Sequence, residues 1–378
     1  MNKQKHHLLS QQIDPKPIQK KMSIKELIDS CFFAYNSARF KETCHLAEKY
    51  FKDETVTIGM TLAGALTPAG LGPSAIVPLI EAGYLDYIIS TGANLYHDLH
   101  YALKYPLFHS QPNQNDIKLR ENGIIRIYDI LFDASVLYDT DAFVRDILTT
   151  KPFQKTMGTS EFHYLVGKAA NQVEEQLGTQ GSSILASAYR NKVPIYTSSP
   201  GDSTFGLNLA AQNLLGESIC QIDPSIDVNE TSAIVWNAQQ NEGKSAVVIA
   251  GGGSPKNFAL QTEPQLQEIL GLPARGHDYF IQFTDSRMDT GGLSGATPSE
   301  ALSWGKIEVE SLPNTIVCYG DSTIYLPLWT SYIFESIGYR KKKELYTKIS
   351  SMIEKLREDA KKHSPPVEKH PISKNIHL

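Results

Sequence analysis

Short runs of apolar residues alternate along the chain with longer segments in which apolar residues recur at helical spacing. The runs are nearly continuous and rich in Val, Ile and Tyr, which is typical of strands covered on both faces. They predict six strands, over Thr55–Met60, Leu85–Ser90, Val193–Thr197, Ser245–Ala250, Asp278–Phe283 and Thr315–Gly320. Helical spacing predicts helices over Glu161–Leu177, Thr231–Gln240, Asn257–Leu270 and Lys342–Lys362. The repeated order of strand, helix and strand indicates an α/β fold, in which a parallel sheet carries helices on both faces.

The length of the chain and the position of its polar segments predict how it is organised. No internal repeat and no linker-like stretch interrupts the middle, so we expect a single large domain over residues 23–362. Residues 1–22 are rich in Lys, Gln and His and are predicted to form a mobile N-terminal arm. Residues 363–378 hold three prolines and almost no apolar periodicity, which predicts a disordered C-terminal tail.

The charge balance and the cysteines narrow the class of protein. A formal net charge of −5 gives no reason to expect nucleic acid or an anionic membrane as a partner. The four cysteines are scattered without a CxxC spacing, which argues against a disulfide framework or a zinc site. No apolar run approaches the roughly 20 residues that cross a bilayer, and the polar start of the chain does not resemble a secretory signal. These features predict a cytoplasmic protein.

Small, polar loops follow nearly every predicted strand. In a parallel sheet the carboxyl ends of the strands lie at one edge, where such loops offer bare backbone amides to a pyrophosphate and a carboxylate to a ribose hydroxyl. Each loop alone also fits ordinary turn chemistry, and neither a GxGxxG motif nor a Walker lysine motif names the nucleotide. The six loops are Thr61–Gly64, Thr91–Asn94, Ser198–Asp202, Gly251–Gly253, Thr284–Ser286 and Gly320–Ser322.

The segment from Gly291 to Lys306 contains the most informative candidate chemistry. Thr297 is followed by a proline and, three residues later, by Glu300, which is the signature of a helix start. Glu300 and Trp304 are four residues apart and share a face of this helix. A lysine beside an indole can lose water and fall in pKa, which leaves a neutral amine for nucleophilic attack. The same residues also fit a capping box, a core indole and a helix-end cation.

Four blocks of sequence, in order, give these residues a family context. The run ATPSEALSWGKI (Ala296–Ile307) closely resembles the active-site segment of deoxyhypusine synthases. Further resemblance lies in Leu119–Ile127, Gly251–Asn257 and Cys318–Leu328. This resemblance implies a Rossmann-like sheet, NAD as the cofactor, and a homotetramer whose sites lie between paired subunits.

The resemblance also implies a reaction. Family members move an aminobutyl group from spermidine, through an imine on a lysine, to an acceptor amine. The acceptor is a protein lysine, as on a translation factor, or a small diamine. Two alternatives remain open: a homospermidine synthase that acts on putrescine, and a nucleotide-binding protein that has lost catalysis.

Individual roles follow from the matching positions. Lys306 corresponds to the covalent nucleophile, and Glu300, Trp304, Asn257 and His97 correspond to positions that bind the polyamine. The positions implied to contact NAD are Gly64, Ala65, Thr91, Asp202, Gly252, Ser286, Asp321 and Ser322.

Several family positions carry a different residue here. A family histidine corresponds to Asn257, and three acidic polyamine-binding positions correspond to His97, Leu207 and Leu293. The neighbouring Asp98 and Asn208 could compensate if the alignment shifts by one residue. His97 and His100 form an HxxH pair, but no third ligand of fitting spacing is evident, so we expect no metal.

Overall fold

The computed structural model describes residues 12–307 and 309–363. The predicted mobile arm over residues 1–22 therefore lies partly outside the described residues, and the predicted tail lies outside them apart from His363. Residues 12–22 have no helix or strand, and the Lys16 amide donates to the carbonyl of Ser30 at 3.1 Å.

A six-stranded parallel sheet forms the centre of the molecule. Its strand order is β11-β10-β9-β1-β2-β7. All six strands predicted from the sequence lie in this sheet. The strands of the described residues are, in chain order, β1 (Val56–Leu62), β2 (Tyr87–Ser90), β3 (Phe108–His109), β4 (Ile124–Ile127), β5 (Ile130–Asp133), β6 (Thr156–Met157), β7 (Ile195–Thr197), β8 (Gln221–Ile222), β9 (Lys244–Ala250), β10 (Tyr279–Thr284) and β11 (Thr315–Tyr319).

Alternate residues of the strands enter two separate cores, one on each face of the sheet. On β9, Val248 belongs to one core and its neighbours Val247 and Ile249 belong to the other. On β10, Ile281 and Phe280 divide in the same way. Because a strand turns successive side chains to opposite faces, burial on both faces requires a continuous apolar run. The reading of the apolar runs as doubly covered strands is confirmed.

Helices cover both faces. The longer ones are Ile24–Cys31, Tyr35–Tyr50, Gly92–Ala102, Ser135–Leu148, Thr159–Leu177, Ile184–Asn191, Thr204–Leu215, Pro224–Ala238, Gly253–Leu260, Ser322–Ser336 and Ile349–Lys362. Shorter α-helical pieces lie at Val77–Glu81, Asp116–Glu121, Thr262–Pro264 and Pro298–Ser303. Short 3-10 helices lie at Thr67–Ala69, Lys151–Phe153, Met288–Thr290, Leu293–Gly295, Val309–Asn314 and Leu345–Lys348, and π-helical turns at Gly72–Ile76 and Gln265–Ile269. None of the helices in the described part of the chain is long and apolar enough to cross a membrane.

The predicted helix over Asn257–Leu270 is present but not as one regular helix. It consists of the helix Gly253–Leu260, a short piece that contains Pro264, and the π-helical turn Gln265–Ile269. Pro264 has no amide hydrogen to donate to the carbonyl four residues earlier, which explains why the regular ladder stops after Leu260. Within the π turn, the amide of Leu270 donates to the carbonyl of Gln265 at 3.0 Å, a bond that spans five residues.

Candidate active site

The carboxyl ends of the six central strands lie at one edge of the sheet, and hydrogen bonds join neighbouring loops there. Thr91 Oγ1, after β2, donates to the carbonyl of Gly64, after β1, at 2.6 Å. The amide of Gly251, after β9, donates to the carbonyl of Phe283 on β10 at 2.8 Å. The amide of Gly320, after β11, donates to the carbonyl of Thr284 at the end of β10 at 2.8 Å. The predicted polar loops therefore lie side by side along this edge.

Four helices begin at this surface, each after a strand of the sheet. They are Gly92–Ala102, Thr204–Leu215, Gly253–Leu260 and Ser322–Ser336. The first turn of a helix carries free amides and a partial positive charge, so several such ends at one edge favour an anionic ligand. Gly252 precedes the third of these helices without a side-chain cap. That arrangement suits a nucleotide pyrophosphate.

The residues predicted to contact NAD all lie at this edge. Two of them also cap helices: Thr91 accepts from the amide of Asn94 at 3.3 Å, and Asp321 accepts from the amide of Thr323 at 2.8 Å. Gly252 packs closely against Ser294, because a Cβ atom at this position would lie 2.6 Å from the Ser294 Cα. The remaining predicted positions lie on the same loops with their residues exposed or half-buried: Gly64, Ala65, Asp202, Ser286 and Ser322.

A cavity of about 490 Å³ opens beside this edge and contains the predicted nucleophile. Four residues that the sequence analysis placed in the site line it together, namely Asn257, Glu300, Trp304 and Lys306. Its apolar walls include Phe280 on β10 and Leu293, one of the positions where the family pattern has an acid. The cavity therefore combines a lysine, an indole face and carboxylates with apolar surface.

The backbone around Lys306 follows from the local sequence. Thr297 Oγ1 accepts from the amide of Glu300 at 3.2 Å, and Pro298 opens the helix Pro298–Ser303, as predicted. Gly305 then takes a left-handed conformation with φ of 70°. Its amide donates to the carbonyl of Leu302 at 3.0 Å, and the Lys306 amide donates to that of Ala301 at 3.0 Å. This pair of bonds is a Schellman motif, and it fixes Lys306 three residues beyond Ser303, the last residue of the helix.

Burial and charge act on the Lys306 amine in opposite directions. Partial burial lowers the pKa of Lys306, whereas the nearby carboxylates of Glu268 and Glu300 raise it, and burial prevails. The amine lies 5.7 Å from the centre of the Trp304 ring. A lowered pKa enlarges the fraction of neutral amine, which is the nucleophilic form. This is the direction that the sequence predicted.

A second lysine, Lys256, contributes to the site in a way that the sequence reasoning missed. It is almost fully buried, and its ammonium donates to Gln282 Oε1 at 3.0 Å and to the Ala296 carbonyl at 2.6 Å. Gln282 in turn donates to the carbonyls of Gly251 and Ser294, each at 2.8 Å. Burial lowers the pKa of Lys256 to about 8. This network connects the glycine run after β9 to the segment that leads into the helix Pro298–Ser303.

Two signals in the sequence could have revealed this network. Gln282 interrupts the apolar run of β10, and a polar residue inside a doubly covered strand requires a buried partner. Lys256 directly precedes Asn257 in one of the family-like blocks. Neither signal indicates which loop the partner belongs to, because Ser294 and Ala296 are distant in sequence.

Not every predicted site residue reaches the Lys306 cavity. His97 lies on the helix Gly92–Ala102 after β2, two strands away from β9, and its ring packs against those of Tyr96, His100 and Phe132. Leu207 is 65% exposed on the helix Thr204–Leu215. Neither residue lines the cavity in a single chain.

The two neighbouring polar residues are already engaged elsewhere. Asp98 is fully buried and accepts from Ser183 Oγ at 2.5 Å and from the amide of Ile184 at 2.8 Å, so it holds the start of another helix. Asn208 donates to Asp141 at 2.8 Å. In this chain, therefore, they do not replace the missing carboxylates beside Lys306. No group of three His, Cys, Asp or Glu within the described residues is placed to hold a metal ion.

An α/β fold with a lysine cavity at the carboxyl edge of a parallel sheet defines the general class of this protein. The comparisons with known proteins then identify the family. The family model for deoxyhypusine synthase matches residues 26–333. The chain is 59% identical over 351 residues to the "Deoxyhypusine synthase-like protein" of Nostoc punctiforme, covering 93% of this chain and 90% of the relative. It is 36% identical to "Probable deoxyhypusine synthase 2" of Methanosarcina acetivorans, covering 82% of this chain and 86% of that one.

A solved structure supports the fold. A candidate deoxyhypusine synthase from Entamoeba histolytica superimposes with a TM-score of 0.58 at 13% identity, over 87% of this chain and 99% of the other. The chain thus belongs to the deoxyhypusine synthase family, and membership of this family implies a transferase.

Proposed function

We propose that this protein is an NAD-dependent transferase that moves an aminobutyl group from spermidine or a related polyamine to an acceptor amine, with Lys306 as the covalent carrier. The observation that carries the proposal is the joint presence of Lys306, Glu300 and Trp304 in one cavity at the carboxyl edge of the sheet. In keeping with the family, we further propose that the protein works in the cytoplasm as a homotetramer.

The edge of the sheet suits NAD. Four helix starts and the uncapped glycine run offer amides to a pyrophosphate, and Asp202 offers an exposed carboxylate to a ribose hydroxyl. Gly64 and Gly253 have positive φ and open space where a side chain would project, which leaves the backbone accessible. When bound, NAD would accept the hydride removed from the donor amine and return it in the last step.

Lys306 supplies the covalent chemistry. Loss of a hydride and a proton converts the secondary amine of the donor into an imine. The neutral amine of Lys306 adds to the imine carbon, and the bond to the departing diamine breaks, which leaves the four-carbon unit as an imine on Lys306. The acceptor amine then adds to the same carbon and displaces Lys306. Reduction of the new imine completes the transfer.

Glu300 and Trp304 suit the binding of ammonium groups. A carboxylate gives an ammonium a charge-assisted hydrogen bond, and the face of an indole attracts a cation. In the described structure Thr297 caps the helix by accepting from the Glu300 amide, and no bond from the Glu300 carboxylate back to the cap is formed. The Glu300 carboxylate is therefore available to a substrate. In a complete capping box it would instead be bonded to the backbone of Thr297.

Of the two acceptors, we favour a small amine, as in the synthesis of homospermidine from putrescine. The observation that favours it is Leu293, which lines the cavity where the family pattern has an acid. A leucine offers an ammonium no compensation for lost water, and each missing charge-assisted contact weakens binding by about 1.5–3 kcal/mol.

Mass spectrometry of the products distinguishes the two acceptors. The enzyme with NAD and spermidine is offered putrescine in competition with a hypusine-type translation factor. We expect formation of NADH that depends on spermidine, followed by a free polyamine product. Efficient modification of the factor without a free product would assign the protein acceptor instead. No spermidine-dependent NADH at all would favour the alternative of a nucleotide-binding protein that has lost catalysis.

A further inference from the structure

Glu268 lines the Lys306 cavity and has no role in the family-like sequence blocks. It lies on the π-helical turn Gln265–Ile269. Within this turn Leu266 is fully buried, and Gln267 Nε2 donates to the carbonyls of Ala274 at 3.1 Å and Gly305 at 3.4 Å. The π turn is therefore attached to the residue that precedes Lys306, and Glu268 is held next to the nucleophile.

The charges of the cavity make Glu268 available to a ligand. Glu268 and Glu300 are its acidic lining residues. Among the described residues neither carboxylate accepts a hydrogen bond or forms an ion pair at contact distance. Lys256 does not neutralise them by contact, because its ammonium is bonded to Gln282 and to backbone carbonyls. Of the two acids, Glu268 makes the larger contribution to raising the pKa of Lys306.

We infer that Glu268 is a substrate-positioning carboxylate that binds an ammonium of a linear diamine or polyamine while the reacting carbon lies at Lys306. The inference rests on the proposed function and adds a binding residue for its polyamine substrate. Two carboxylates suit a ligand with two ammonium groups, and the apolar walls at Leu260, Phe280 and Leu293 suit a hydrocarbon chain between them. Glu268 thus supplies the cavity with a negative charge, which Leu293 does not provide.

Direct binding of two simple amines tests this role. The full-length protein with NAD is titrated by calorimetry with 1,4-diaminobutane and with 1-aminobutane, which has the same chain and one charge. For Glu268→Gln we expect the affinity for the diamine to fall about tenfold and that for the monoamine to change less than twofold. Glu268→Asp should restore part of the loss. The matched control is Glu358→Gln, an exposed glutamate on the helix Ile349–Lys362, and it should bind both amines as the parent does.

Three results would overturn the inference. Unchanged diamine binding in Glu268→Gln would show that the carboxylate is only solvated. An equal loss for both amines would point to a structural role of the π turn. Absence of binding of either amine to the parent protein would remove the substrate class. These outcomes are distinct from a failure of the proposed function, which is decided by covalent trapping at Lys306 and not by affinity.

Discussion

At the scale of single residues, the account depends on two lysines that have different environments. Lys306 is half-buried and close to an indole and to carboxylates, and its amine forms no hydrogen bond or ion pair with the described residues. Lys256 is buried and its ammonium is fully engaged with Gln282 and backbone carbonyls. The first lysine has the surroundings of a nucleophile and the second those of a structural cation. The sequence alone could predict the role of Lys306, because a lysine that follows Trp-Gly matches the active-site segment of deoxyhypusine synthases.

The role of Lys256 can be tested by removing its side chain. Lys256→Ala leaves the carbonyl of Ala296 and the amide oxygen of Gln282 without a buried donor, so we expect unfolding free energy to fall by about 1–3 kcal/mol. Amine affinity should fall as well, because the segment that leads into the helix Pro298–Ser303 loses the hydrogen bond from Lys256 to Ala296. Urea unfolding and calorimetry measure the two effects. Lys168→Ala, on the exposed face of the helix Thr159–Leu177, is the control and should change neither.

At the scale of secondary-structure elements, the sequence predicted the strands of the central sheet better than the helices, and it did not predict the short strands β3, β4, β5, β6 and β8. Doubly covered strands appear as short apolar runs, and all six were found within two residues of their ends. The predicted helix over Asn257–Leu270 was correct in position but not in form, since neither the break at Pro264 nor the π turn has a periodic signal. The helices Ile24–Cys31 and Tyr35–Tyr50 were not predicted.

The Schellman motif that ends the helix Pro298–Ser303 offers a test at this scale. Gly305→Ala places a Cβ at φ of 70° and 2.8 Å from Gln267 Oε1, so we expect a stability loss of about 1–2 kcal/mol and displacement of Lys306. Covalent trapping of substrate should then fall by at least tenfold. Gly178→Ala is the matched control, because Gly178 ends the helix Thr159–Leu177 with φ of 67° in open space. It should lose similar stability and trap substrate normally. Equal trapping by the two variants would show that the position of Lys306 does not depend on this turn.

At the scale of the whole molecule, the sequence predicted a single α/β domain with its site at the carboxyl edge. It could not predict which strand exits lie beside one another, because the order β11-β10-β9-β1-β2-β7 is set by crossovers and not by any local pattern. That order separates His97 from the Lys306 cavity within one chain, although both follow strands of the same sheet.

Buried histidines give the fold a pH dependence that can be measured. His100 is fully buried without a hydrogen-bond partner among the described residues, and burial lowers its pKa to about 3. The unfolded chain protonates this histidine below a pH of about 6.5, while the folded protein does not, so stability is lost as the pH falls below that value. Replacement of His100 by leucine removes this group, and with it the loss of stability at low pH that His100 causes.

The difference in unfolding free energy between His100→Leu and the parent should therefore grow in favour of the variant by about 2 kcal/mol between pH 7.5 and pH 5. Urea unfolding at the two pH values measures it. Asn113→Gln, at an exposed position that carries no titratable group, is the control and should show a nearly constant difference. A constant difference for His100→Leu as well would mean that His100 is protonated in the folded state.

The most direct test of the central claim is reductive trapping of the covalent intermediate. The protein is mixed with NAD and spermidine, treated with borohydride, digested, and examined by mass spectrometry. We expect one peptide, containing Lys306, to gain a reduced aminobutyl group. Lys306→Arg keeps the charge but cannot form the imine, so it should trap nothing while still binding NAD. An adduct on another lysine, or transfer that survives in Lys306→Arg, would contradict the account.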